Sequence, residues 1–178
     1  MRVLMTGGGT GGHVNPAIAI ANTIKQNDPS AEIAFVGTSR GIENKLVPAA
    51  GYPLYHVEVR GFRRSLSPAN FKAAWLAFVS PIRAKKLIAD FKPDIVVGTG
   101  GYASFPALFA GSGMGVPTCV HESNAVPGLA TKLVSGRVDV MMELGLVEEV
   151  KADVYLVDFH AEATSEKQAM GYHLNGRA

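Results

Sequence analysis

Residues Val3-Leu4-Met5 run almost directly into Gly7-Gly8-Gly9-Thr10-Gly11-Gly12-His13, and a helical pattern opens near Asn15-Pro16. A strand that stops in glycines and resumes as a helix restricts the possible folds more than any other stretch of this chain. Glycine tolerates positive φ and lets backbone pass close to a ligand, while the unpaired amides and dipole of a helix N-terminus favour an anion. The turn points to a phosphate ester as ligand, against the plainer reading of a tight turn needed only for packing.

Gly7, Gly9 and Gly12 also satisfy the spacing Gly-x-Gly-x-x-Gly of dinucleotide sites. Such a site needs an acid at the end of the second strand to hold the ribose. Residues 32–36 run instead into Gly37-Thr38-Ser39-Arg40, with no Asp or Glu in that place. A nucleotide-triphosphate loop fails as well, because His13 stands after Gly12 where Lys is required.

Apolar runs at residues 3–5, 33–36, 55–59, 95–97 and 118–120 alternate with helical patterns at 16–25, 41–50, 69–90, 105–113 and 128–134. Continuously apolar strands separated by helices predict an α/β fold, a Rossmann-like doubly wound parallel sheet with helices on both faces. Residues 137–142 offer a further strand, and 154–157 another for the edge. Ligands of such sheets bind at the carboxyl ends of the strands.

Three polar loops fall at that edge and are expected to converge: residues 7–13, then Gly98-Thr99-Gly100-Gly101-Tyr102, then His121-Glu122-Ser123-Asn124. The first two share a design, glycines opening a helix, so two helix N-termini can face one diphosphate. His13 either caps its helix or satisfies a backbone group, or it accepts a proton from a reacting hydroxyl. His121 and Glu122 are open between bracing their own loop and lining the site, and the Asn124 amide suits a hydroxyl or phosphate.

Composition narrows the class. At 47% hydrophobic and 18% charged, the 178 residues are ordinary for a globular protein with one core. The single cysteine, Cys119, excludes an internal disulfide and fits a core position in a reducing compartment. No signal peptide or spanning segment is visible, so a cytoplasmic protein is expected. Charge is uneven: residues 60–92 hold eight basic residues and one acid, and residues 143–178 hold three basic and seven acidic.

The basic stretch also carries aromatics. Phe71, Trp75, Phe78 and Val79 fall on one helical face, fringed by Lys72, Arg83, Lys85 and Lys86. This suits a helix lying on a membrane surface, or equally a core-facing stripe with solvated charges around it. Ser80-Pro81 is expected to restart or kink the helix, with Ser80 as its N-cap. No nucleic-acid recognition motif accompanies the basic residues.

Gly7-Gly8, Thr10-Gly11-Gly12-His13, Gly100-Gly101-Tyr102, His121-Glu122-Ser123-Asn124 and Pro127-Gly128-Leu129-Ala130-Thr131-Lys132 together resemble the N-terminal domain of the MurG family of peptidoglycan glycosyltransferases, family 28. The resemblance covers about residues 1–142. It implies one half of a two-domain GT-B fold, and transfer of N-acetylglucosamine from UDP-N-acetylglucosamine to lipid I to form lipid II, with inversion. By the same resemblance Thr10, Gly11, Gly12 and Asn124 would contact the donor sugar nucleotide. His13 would lie beside the reacting centre, and the glycine loops with Gly100, Gly101, Tyr102, His121 and Glu122 would face the acceptor diphosphate and the cleft. Phe71, Trp75, Phe78, Val79 and Arg83 would meet the cytoplasmic face of the cell membrane. No cofactor or metal is implied, and no oligomeric state.

Residues 143–178 read as a fragment of different origin. The run 153–167 with Gly171-Tyr172-His173-Leu174-Asn175-Gly176-Arg177 resembles a segment of YmdB-like metallophosphoesterases, in which the position of His160 is a metal ligand. One imidazole does not make a dinuclear site. Because the family's second domain is not recognisable here, the chain is expected to be inactive alone. A catalytically silent lipid- or diphosphate-binding module and a phosphodiesterase fragment are the competing readings.

Overall fold

The computed structural model describes residues 1–59, 69–122 and 128–143. The strands are β1 (Arg2–Thr6), β2 (Glu32–Gly37), β3 (Leu54–His56), β4 (Ile95–Gly98), β5 (Thr118–Glu122) and β6 (Val140–Glu143). All pair in parallel, in the order β3-β2-β1-β4-β5-β6. The helices are α1 (Gly11–Asn27), α2 (Glu43–Ala49), α3 (Ala69–Phe91), α4 (Phe105–Gly113) and α5 (Leu129–Val134). This is the doubly wound Rossmann-like sheet expected from the alternating pattern.

Two buried clusters lie on opposite faces of the sheet. Val3, Met5, Ile33, Phe35 and Val97 meet Val14, Ala17 and Ala21 of α1 and Val47 of α2. Leu4, Ala34, Val36, Val96 and Val120 meet Ala84 and Ile88 of α3, Leu108 of α4 and Val134 of α5. Residues adjacent in a strand thus enter different cores, which is why the strand runs are apolar at every position. Each fully buried side chain of this size contributes about 1.5–3 kcal/mol.

Helix α1 begins at Gly11, five residues before the expected start at Pro16. Proline suits a first helical position, but here it lies inside the helix. The first amides of a helix lack carbonyl partners anyway, and the ring removes one further hydrogen bond. As a result Gly11, Gly12 and His13 form the first turn of α1. Strand β3 is shorter than the expected 55–59, although Val57 N–H still donates to Gly37 O and Val57 and Val59 are buried.

The expected restart at Ser80-Pro81 does not occur. Helix α3 is continuous through Pro81, and Ser80 is no cap: its Oγ is buried with no hydrogen-bond partner among the described residues. Burial of Ser80 and the packing of Ala84 and Ile88 in the core carry the helix through the proline.

Phe35 is fully buried and stacks at a tilt on Tyr52, ring centroids 5.3 Å apart. Its position in β2 ties the sheet to the start of β3. Phe35→Ala is expected to destabilise the fold by about 3–5 kcal/mol, read as a lower urea midpoint at unchanged slope.

Candidate functional site

The sheet reverses its winding between β1 and β4. From β1 the chain builds outward through β2 to β3, and from β4 outward through β5 to β6. Their loops therefore leave the carboxyl edge in opposite directions and open a crevice, the usual ligand position in such sheets. Residues 7–10 form one wall and residues 99–104 the other.

The two walls are hydrogen-bonded to each other. His13 Nδ1 lies 3.1 Å from Thr99 O, and Thr99 Oγ1 donates to His13 O at 2.6 Å. Beneath them Thr99 N–H donates to Thr6 O at 2.9 Å, and the buried Thr6 hydroxyl lies 3.2 Å from both Val36 O and Ala103 O. A carbonyl only accepts, so the bond to Thr99 places the ring proton of neutral His13 on Nδ1. Nε2 then carries the free lone pair, and it has no partner among the described residues. The ring is thus used structurally through Nδ1, on the Thr99 carbonyl rather than as a cap of its own helix.

The glycines of the second loop make room for that ring. Gly100 and Gly101 have φ of 93° and 75°, and a Cβ on either would stand 2.9 Å from the imidazole. Gly9, at φ 90°, faces the Tyr102 ring, where a Cβ would come within 3.1 Å. Tyr102 itself is exposed at the rim. Thr10 precedes α1 in an extended conformation without a side-chain cap bond, and the first turn holds no acid. The positive end of a 17-residue helix is thus left without a carboxylate from its own first turn, as an anion site requires.

The third loop divides. Glu122 is buried, and its Oε2 accepts from Thr131 Oγ1 at 2.6 Å and Gly128 N–H at 3.3 Å, so it braces the entry to α5. Its Oε1 is 3.6 Å from where a Gly100 Cβ would sit, so the same side chain backs the second loop. His121 Nδ1 is buried and has no hydrogen-bond partner among the described residues. Asn124 lies outside the described residues.

Sequence reasoning missed Glu43. Its side chain is fully buried, with Oε2 accepting Gly9 N–H at 3.0 Å and Oε1 accepting Thr38 N–H and Oγ1–H at 2.9 Å each. Burial pushes its carboxyl up, but the bonds from Gly9 and Thr38 outweigh that and hold it below the usual carboxylate range. An acid two residues after Gly41 looks like an ordinary first-turn helix residue. The only hint was the number of glycines around it.

On α3, Trp75, Phe78 and Ile82 are 66%, 74% and 61% exposed, and Val79 is half-buried. Arg83, Lys85 and Lys86 are exposed beside them. The buried face carries Ala73, Ser80, Ala84 and Ile88, so the aromatic stripe does not face the core. Ile82 was not singled out from sequence. The side chains of Phe71 and Lys72, and residues 60–68, lie outside what is described, as does all of 144–178 with His160.

Residues 3–143 match the glycosyltransferase family 28 N-terminal domain. The chain is 48% identical over 139 residues to the UDP-N-acetylglucosamine--N-acetylmuramyl-(pentapeptide) pyrophosphoryl-undecaprenol N-acetylglucosamine transferase of Lactococcus lactis subsp. cremoris, covering 78% of this chain and 39% of that protein. The protein of the same name from Limosilactobacillus reuteri is 50% identical over 139 residues, with 78% and 38% covered. Among solved structures, MurG of Acinetobacter baumannii superposes with a TM-score of 0.69 at 28% identity, over 89% of this chain and 44% of that one. The chain spans about two-fifths of the length of these relatives.

The depressed Glu43 carboxyl sets a pH dependence. A group whose folded-state value lies below its unfolded one adds stability above the unfolded value, about pH 4.3, and loses it as pH falls through the folded value. Glu43→Gln is therefore expected to lower the urea midpoint clearly at pH 7 and progressively less below about pH 4. Equal losses at both pH values would contradict the assignment.

Proposed function

The chain belongs to the glycosyltransferase family 28 N-terminal domain family, and from that premise we propose that it is the acceptor-binding half of a UDP-N-acetylglucosamine:lipid I N-acetylglucosaminyltransferase. The observation that carries the reading is the His13–Thr99 bond at the β1–β4 crevice. It leaves a lone pair on Nε2 beside the positive end of α1. A diphosphate at that helix end would bring an attached sugar near the imidazole.

In the proposed reaction Nε2 of His13 takes the proton of the acceptor hydroxyl as its oxygen bonds to the anomeric carbon of the donor. The bond from that carbon to the diphosphate oxygen breaks, UDP departs with the electron pair, and configuration inverts. Thr10, Gly11 and Gly12 present helix-end amides and a hydroxyl to phosphate oxygens. Gly100, Gly101 and Tyr102 shape the opposite wall, while His121 and Asn124 are assigned to the sugar side. Glu122 acts by holding the second and third loops together. Donor and acceptor must be held together in one closed cleft, worth about 7–11 kcal/mol of the barrier, and the residues named here are assigned to the acceptor wall of it.

Titration calorimetry of the folded chain is expected to show binding of a soluble short-chain lipid I analogue and none of UDP-N-acetylglucosamine. If neither ligand binds, the likeness to the family is one of fold only.

The exposed stripe Trp75, Phe78 and Ile82, fringed by Arg83, Lys85 and Lys86, supports a second element of the reading: attachment to an anionic membrane surface. Among the described residues no helix is long and apolar enough to cross a membrane. Attachment would be peripheral, at the cytoplasmic face where the acceptor lipid is presented. Trp75→Ala is expected to lower partitioning onto vesicles containing anionic phospholipid by about tenfold, since burying an aromatic is worth ~1.5–3 kcal/mol. Unchanged partitioning in a folded variant would remove α3 from the membrane contact.

A further inference from the structure

Glu43 takes no part in the reaction proposed above, yet it is 0% exposed. A buried carboxylate is costly unless its lone pairs find donors. The donors here are the Gly9 and Thr38 amides and the Thr38 hydroxyl. Backbone amides gathered round an anion are what a glycine loop ordinarily offers to a ligand phosphate. In this chain the anion is its own.

The surrounding glycines show how closely the site is built around that side chain. A Cβ on Gly8 or Gly37 would stand 2.6 Å from Glu43 atoms, and one on Gly41 would overlap the carboxylate. Three glycines, Gly8 on the first loop, Gly37 at the end of β2 and Gly41 beyond it, are therefore required by Glu43 rather than by a ligand. Gly9 is held from both sides, by Glu43 through its amide and by the Tyr102 ring across its Cα. The β2 side of the first loop is filled by Glu43 and residues 99–102 pack against its other side, while Thr10 is exposed and Gly11, Gly12 and His13 at the start of α1 are only partly buried.

We infer that Glu43 is a positioning residue: its carboxylate stands in for an anion on the β2 side of the glycine loop, pins Gly9, and so directs a ligand diphosphate to the first turn of α1 on the β1–β4 side. The identity of that ligand rests on the acceptor reading above; the pinning does not. The same occupancy accounts for a chain with dinucleotide-type glycine spacing and no dinucleotide partner residue.

The test uses the full chain with Glu43→Gln and Glu43→Ala. Without ligand, amide spectra are expected to shift at Gly9 and Thr38 and also at Gly11, Gly12 and His13. Sodium acetate is expected to return the Glu43→Ala amides toward wild type, and sodium chloride at equal ionic strength is not. The dissociation constant for the short-chain lipid I analogue should rise about tenfold in Glu43→Gln, and fall back in Glu43→Ala when acetate is present. Shifts confined to Gly9 and Thr38, absence of acetate rescue, or wild-type affinity in folded Glu43→Gln each overturn the inference. If the wild-type chain does not bind the analogue, the acceptor reading fails, and the ligand-free spectra still decide the role of Glu43.

Discussion

The reversal of winding between β1 and β4 is the constraint from which the rest of this molecule follows. Two adjacent parallel strands send their chains to opposite faces, so a crevice opens at their carboxyl ends without any dedicated insertion. A crevice alone has no defined shape. The paired bonds between His13 and Thr99 close its floor and orient the imidazole, and Glu122 and Glu43 stiffen the loops from either flank. Each of these side chains engages a backbone amide or carbonyl, so the rigidity lies in the main chain.

Glycine has two different uses in this site. At Gly9, Gly100 and Gly101 the backbone is at positive φ, where a side chain would be strained. At Gly8, Gly37 and Gly41 the requirement is space for one carboxylate. A glycine-rich loop is easily read as a phosphate cradle in its entirety. In this chain part of the cradle is already occupied by the carboxylate of Glu43.

Much of the architecture was legible because it depends on local pattern. Continuous apolar strands required a sheet covered on both faces, and the intervals between them were long enough only for helical crossovers. Helix α4 has the expected bounds, whereas α1 starts five residues earlier and carries Pro16 in its interior. The α3 stripe had two equal readings from sequence, since amphipathic helices bury either an aromatic or a small-residue face. Packing of Ala84 and Ile88 in the core beneath α3, with Ala73 buried on the same face, decided for the second and left Trp75 and Phe78 outside.

The sequence by itself determined the fold class and the glycine turns at the ends of β1 and β4, because strand period, glycine placement and helix starts are properties of neighbouring residues. Only the tertiary structure decided the tautomer of His13, the bracing role of Glu122 and the burial of Glu43. His13 and Thr99 are 86 residues apart, and Gly9 and Glu43 are 34 apart. Hydrogen bonds between such distant groups exist only once the sheet has brought β1, β2 and β4 side by side, and no local pattern records them.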